Sequence, residues 1–67
     1  MIDDLDILRA ANILIKRHGA DAAMQAAQRA DKLLAAGDAE GYSVWKRILA
    51  AVKELERTKP GEGERVN

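Results

Sequence analysis

The chain has 67 residues, with 11 Lys and Arg against 11 Asp and Glu, one histidine and no cysteine. This length indicates one small domain, and the missing cysteines exclude disulfides and thiolate zinc sites. The balanced charge provides no net field to draw the protein to nucleic acid or an anionic membrane. The acidic start and the lack of a long apolar run argue against a secretory signal or a membrane span. We therefore expect a cytoplasmic protein.

The composition favours helices throughout. The chain has 13 alanines, no phenylalanine, one tyrosine and one tryptophan. Alanine is the strongest helix former, and residues that favour strands are few. We expect an all-α fold: a compact three-helix domain over 1–58, or an α-hairpin preceded by a packed helix. Residues 59–67 contain Pro60 and two glycines and are predicted to form a disordered tail.

The first predicted helix covers about 3–18. Asp3 and Asp4 suit its positive end, and Gly19 suits the position just after its last turn. The apolar positions recur at 3.6-residue spacing; they are Ile7, Leu8, Ala11, Leu14, Ile15 and His18. Since a metal or a catalytic centre needs several groups together, we interpret the lone His18 as part of a helix terminus rather than as a ligand or a base.

The next two predicted helices cover about 21–36 and 39–58 and form a hairpin. Gly37 ends the first of them and Asp38 caps the second, so "GD" is both a stop and a start. The alanine-rich stripe of the helix over 21–36 is expected to face its neighbours; it consists of Ala23, Ala27, Ala30 and Leu34.

The helix over 39–58 has an apolar arc too wide for two neighbouring helices to cover. Gly41 and Trp45 at its start are compatible either with a docking notch or with a core tryptophan next to a glycine that gives the second helix room. Ile13 on the first helix adds an apolar residue off the main stripe, although scattered surface hydrophobes are normal. The candidate protein-interface residues are Ile13, Tyr42, Trp45, Leu49 and Val52. A two-fold homodimer is the expected assembly.

Basic residues could instead form a nucleic-acid contact if they cluster in space. The candidates for this alternative are Lys16, Arg17, Arg29, Lys46 and Arg47. Ordinary solvated surface is the competing interpretation, and the turn spacing fits a helix-turn-helix poorly.

With no catalytic, cofactor or metal residues identified, the leading hypothesis is a non-enzymatic protein-interaction module, such as an adaptor or regulatory subunit, that presents an apolar helical surface. The alternative is a small nucleic-acid-associated regulator.

Three stretches, "AANILIKRHGADAA", "RADKLLAAGD" and "GYSVWKRILAAV", resemble a family of short uncharacterised bacterial all-helical proteins. The resemblance covers about residues 8–55. It implies no activity, cofactor or partner, and no functional residue is carried over from it.

Overall fold

The first helix begins where Asp3 caps its amide groups. In the computed structural model, which describes residues 3–57, helix α1 spans Asp4–His18. The Asp3 carboxylate accepts a hydrogen bond from the Asp6 N–H at 3.2 Å. Lys16, Arg17 and His18 occupy the last turn, where cations stabilise the negative end of the helix dipole. The predicted helix terminus at His18 is thereby confirmed, but the side chain is exposed and does not lie on the core side.

The chain turns at Gly19 without a loop. Gly19 has φ 54° and ψ −122°, and a 3₁₀ turn over Gly19–Asp21 joins α1 directly to α2, Ala22–Ala35. Helical residues therefore run from 4 to 35 without a loop, with the 3₁₀ turn between two α-helices, and α3 follows after the turn at Gly37. The expectation of three helices is therefore met only in part: no loop separates α1 from α2, because one glycine with positive φ suffices to redirect the backbone.

A turn at Gly37 connects α2 to α3. Asp38 belongs both to this turn and to the N-terminal cap of α3. Gly37 has φ 84°, its N–H donates to the Leu34 carbonyl, and the Asp38 N–H donates to the Leu33 carbonyl at 2.9 Å. These bonds form the Schellman pattern that ends many helices. The Asp38 carboxylate then accepts the Gly41 N–H at 2.9 Å. The predicted "GD" stop and start is confirmed.

Helix α3 spans Ala39–Arg57 and packs against both α1 and α2. Thr58 and the predicted tail over 59–67 lie outside the described residues. No strand occurs between residues 3 and 57, so the all-α expectation is confirmed there.

The core lies where α3 meets the other two helices. Its central members are Ile7, Ala11, Ala22, Ala26, Ile48 and Val52. Alanines four residues apart on α2 present little bulk, which lets α3 approach closely.

On α2 the buried face agrees with the predicted stripe at Ala30 and differs from it on either side. Ala22, Ala26 and Ala30 are buried, whereas Leu34 is 54% exposed. Both candidate rows consist mainly of alanine, so composition could not distinguish them.

Candidate protein-interaction surface

An apolar groove runs between α1 and α3. It has a volume of about 440 Å³ and is lined by Asp4, Leu8, Ala50, Ala51, Glu54 and Leu55. The short side chains of Ala50 and Ala51 leave this space open. Leu8 is 42% exposed, and Leu5, three residues earlier on α1, is 56% exposed. We call Leu8, Ala50, Ala51 and Leu55 the groove surface. Leu5 lies about 60° from Leu8 around α1, on the side away from the core.

Charged pairs flank the groove. At one end, Nη2 of Arg47 donates to Oδ1 of Asp4 at 2.7 Å, which links α3 to the start of α1. At the other end, Nη2 of Arg57 donates to both carboxylate oxygens of Glu54, at 3.0 and 2.8 Å. The pairs are solvent-exposed and contribute little to stability on their own. They do place two α3 residues of opposite charge, Arg47 and Glu54, beside an apolar surface.

The opposite edge of α3 pairs aromatic rings with cations. The Arg29 guanidinium carbon lies 5.1 Å from the centre of the Trp45 ring, and Lys46 Nζ lies 5.8 Å from the Tyr42 ring centre. Both distances lie within the range of cation–π attraction. With Leu49 these four residues form what we call the cation–aromatic edge. Its three apolar members are half-buried.

A polar pocket on α2 extends the cation–aromatic edge. It has a volume of about 350 Å³ and is lined by Gln25, Gln28, Arg29 and Lys32. The amide and cationic groups of this pocket can donate hydrogen bonds to an anionic or carbonyl oxygen. This edge therefore differs in chemistry from the groove surface.

The five predicted interface residues do not share one surface. Tyr42, Trp45 and Leu49 lie on the cation–aromatic edge, and Ile13 is 54% exposed on α1. Ile13 stands about 140° around the helix axis from Leu8. Val52 is fully buried and lies in the core, so it is unavailable to a partner. Its assignment to the interface is corrected: the two sides of the wide apolar arc on α3 meet different helices, and Val52 lies between them.

The five cations predicted to contact nucleic acid lie in three separate places on the surface. Arg29 and Lys46 belong to the cation–aromatic edge. Arg47, about 200° from Trp45 around α3, pairs with Asp4 instead. Lys16 and Arg17 are exposed in the last turn of α1. Two of the five thus lie beside aromatic rings.

Sequence reasoning missed the groove surface as a unit. Leu8 was assigned to the core stripe of the first helix, and Ala50 carried no signal of its own. One pattern could have indicated the groove: the alanine pair at 50 and 51 stands midway between Arg47 and Glu54, which are two turns apart on one side of α3.

Within residues 3–57 there is no group of three or more His, Cys, Asp or Glu side chains arranged to hold a metal ion. None of the described helices combines the length and apolar character needed to traverse a lipid bilayer. Comparison of the chain with protein-family models, with curated proteins and with solved structures gave no match.

Proposed function

We propose that the protein is a small, non-enzymatic interaction module that acts through the groove surface and self-associates. The observation that carries the proposal is the groove between α1 and α3, together with the exposed Leu8 that lines it and the exposed Leu5 one turn earlier on α1. Full burial of a leucine side chain contributes roughly 1.5–3 kcal/mol, and these two retain about half of that to gain. As expected from the sequence, the proposed role is that of an adaptor or regulatory subunit, and the proposed location is the cytoplasm.

The small core supports self-association. Among residues 3–57, the only buried side chains larger than alanine are Ile7, Ile48 and Val52. A core of this size supplies limited stability, and association is a common way for small domains to increase it. We therefore propose a compact three-helix unit whose small core is stabilised by association with a second chain.

Light scattering on a size-exclusion column, over a wide range of concentrations, tests the proposal. We expect the mass to rise from 7.3 kDa towards twice that value as concentration increases. Leu5→Ser weakens association, because this exposed leucine extends the apolar surface of α1 by one turn from Leu8. Leu34→Ser is the matched control, since Leu34 is equally exposed but lies on α2. A constant mass of 7.3 kDa at every concentration contradicts self-association, and an equal effect of both variants contradicts the groove as its surface.

A second candidate function is binding of single-stranded nucleic acid, and the cation–aromatic edge favours it. Arg29 and Lys46 provide positive charge beside two aromatic rings, and cations interleaved with stacking rings are typical of single-strand binding.

Anisotropy of a labelled oligonucleotide at low and raised salt tests this candidate. Binding that weakens with salt and is lost in an Arg29→Ala, Lys46→Ala double variant supports it, because phosphate contacts release counterions. Absence of binding at low salt excludes it.

A further inference from the structure

We propose that the groove surface is occupied by a second copy of this chain, with the two α3 helices packed antiparallel around a two-fold axis between Ala50 and Ala51. This inference rests on the proposed function, because it names the partner and the geometry of the self-association. Charge complementarity, the shape of the groove and the ion pairs that flank it support this arrangement.

Charge complementarity selects the antiparallel register. Arg47 and Glu54 are seven residues apart, which places them about 10 Å apart along α3 and about 20° apart around its axis. The alanine pair at 50 and 51 lies midway between them. A two-fold axis at that midpoint brings Arg47 of each copy opposite Glu54 of the other. Each contact is thus made twice, as in every isologous interface.

The shape of the groove permits this approach. Ala50 is exposed and Ala51 is half-buried, so the shortest side chains of this side of α3 lie at the proposed axis. Helices that meet through alanine approach to the lower end of the usual 8–10 Å range of interaxial distances. Leu8 and Leu55 line the same groove and provide apolar contact beside the axis. A parallel arrangement would instead place like charges opposite each other.

The rim ion pairs are compatible with a second partner. Arg47 donates to Asp4 through Nη2 alone in this chain, and a guanidinium has five N–H donors. Both carboxylate oxygens of Glu54 accept from Arg57, and the side chain remains solvent-exposed. In the proposed dimer the two existing pairs, Asp4 with Arg47 and Arg57 with Glu54, lie next to each other at each end and form a group of four charges of alternating sign. Such complementary charges set the register and the choice of partner.

Exchange of the two charges tests the register. Arg47→Glu and Glu54→Arg are each expected to weaken self-association about tenfold, because each variant places like charges opposite each other. An equimolar mixture of the two variants regains most of the wild-type affinity, since both contacts between the chains then join opposite charges. The double variant R47E/E54R also binds more tightly than either single variant, although position 47 then faces Asp4 and position 54 faces Arg57 within the chain. Lys53→Glu, which makes the same charge change about 120° away around α3, leaves the mass unchanged.

A cross-linking experiment tests the position of the axis independently. The chain has no cysteine, so Ala50→Cys introduces a single thiol. At the proposed axis the two thiols meet at disulfide distance, and mild oxidation yields a covalent dimer. Ile13→Cys, at an exposed position on the other side of α1, is the control and yields little. Circular dichroism establishes that each variant is folded.

The outcomes separate this inference from the proposed function. A wild type that stays at 7.3 kDa at all concentrations overturns both, and the groove then binds no second copy. A wild type that dimerises, with Arg47→Glu equivalent to Lys53→Glu and no gain on mixing, overturns the antiparallel register alone. Failure of Ala50→Cys to cross-link beyond the Ile13→Cys control overturns the axis in the same way.

Discussion

The Asp38 carboxylate fills the space that a β-carbon at Gly41 would need. An ideal β-carbon there would lie 2.6 Å from Oδ2 of Asp38, and its three nearest heavy atoms all belong to that side chain. The Gly41 N–H meanwhile donates to the other carboxylate oxygen at 2.9 Å. The glycine therefore accommodates the cap of α3. Neither a docking notch nor room for α2 is needed to explain it.

Gly41→Ala is expected to leave the free energy of unfolding within about 0.5 kcal/mol of wild type. Replacing a helical glycine with alanine stabilises the helix by about 1 kcal/mol. The new β-carbon displaces the capping carboxylate of Asp38, which costs a similar amount. In an Asp38→Ala background, Gly41→Ala raises the free energy of unfolding by the full amount of about 1 kcal/mol, because no capping carboxylate is displaced. Urea unfolding of the four chains measures this coupling. Equal stabilisation in both backgrounds contradicts the relationship.

The backbone at Gly19 predicts opposite effects for the two mirror forms of alanine. With φ 54° and ψ −122°, Gly19 adopts a conformation that L-residues rarely enter, although a β-carbon would meet no atom within 4 Å. L-alanine at this position costs about 1–3 kcal/mol of unfolding free energy.

D-alanine at position 19, introduced by chemical synthesis, raises the stability instead, because its allowed regions are the mirror image of those in L-residues. It also reduces the freedom of the unfolded chain. Thermal unfolding of the three chains measures both effects. If L- and D-alanine have the same effect, backbone strain does not explain the glycine.

The helix ends could be predicted from the sequence because they depend on local chemistry. Asp3, Gly19, Gly37 and Asp38 each act through bonds to residues at most five positions away. The 3₁₀ turn after Gly19 could not be predicted, since glycine permits both a loop and a direct continuation. The choice depends on how α2 packs.

The surfaces could be predicted only in part. Periodicity identified α3 as widely apolar, but it could not determine which side each neighbour covers. In the structure Val52 lies in the core, Trp45 is half-buried beside Arg29, and Ala50 borders the groove. The ion pair between Asp4 and Arg47 joins residues 43 positions apart, so no local pattern could indicate it.

Val52→Ala tests the placement of this residue in the core. Loss of two buried methyl groups and the resulting cavity lowers the free energy of unfolding by roughly 2 kcal/mol. Ile13→Ala, at a residue that is 54% exposed, changes it by less than about 0.5 kcal/mol. Urea unfolding compares the two variants. A Val52→Ala chain as stable as the Ile13→Ala chain shows that position 52 is not a packing site.

Trp45 is the only tryptophan, so its fluorescence reports on the contact with Arg29. Arg29→Ala removes the cation and the side chain that cover the ring, and we expect red-shifted emission and stronger quenching by acrylamide. The unfolding free energy falls by about 0.5–1 kcal/mol, the range for exposed cation–π pairs. Lys32→Ala is the control, because Lys32 lines the same polar pocket and is likewise exposed. Identical emission from the two variants would show that Arg29 does not shield the indole in solution.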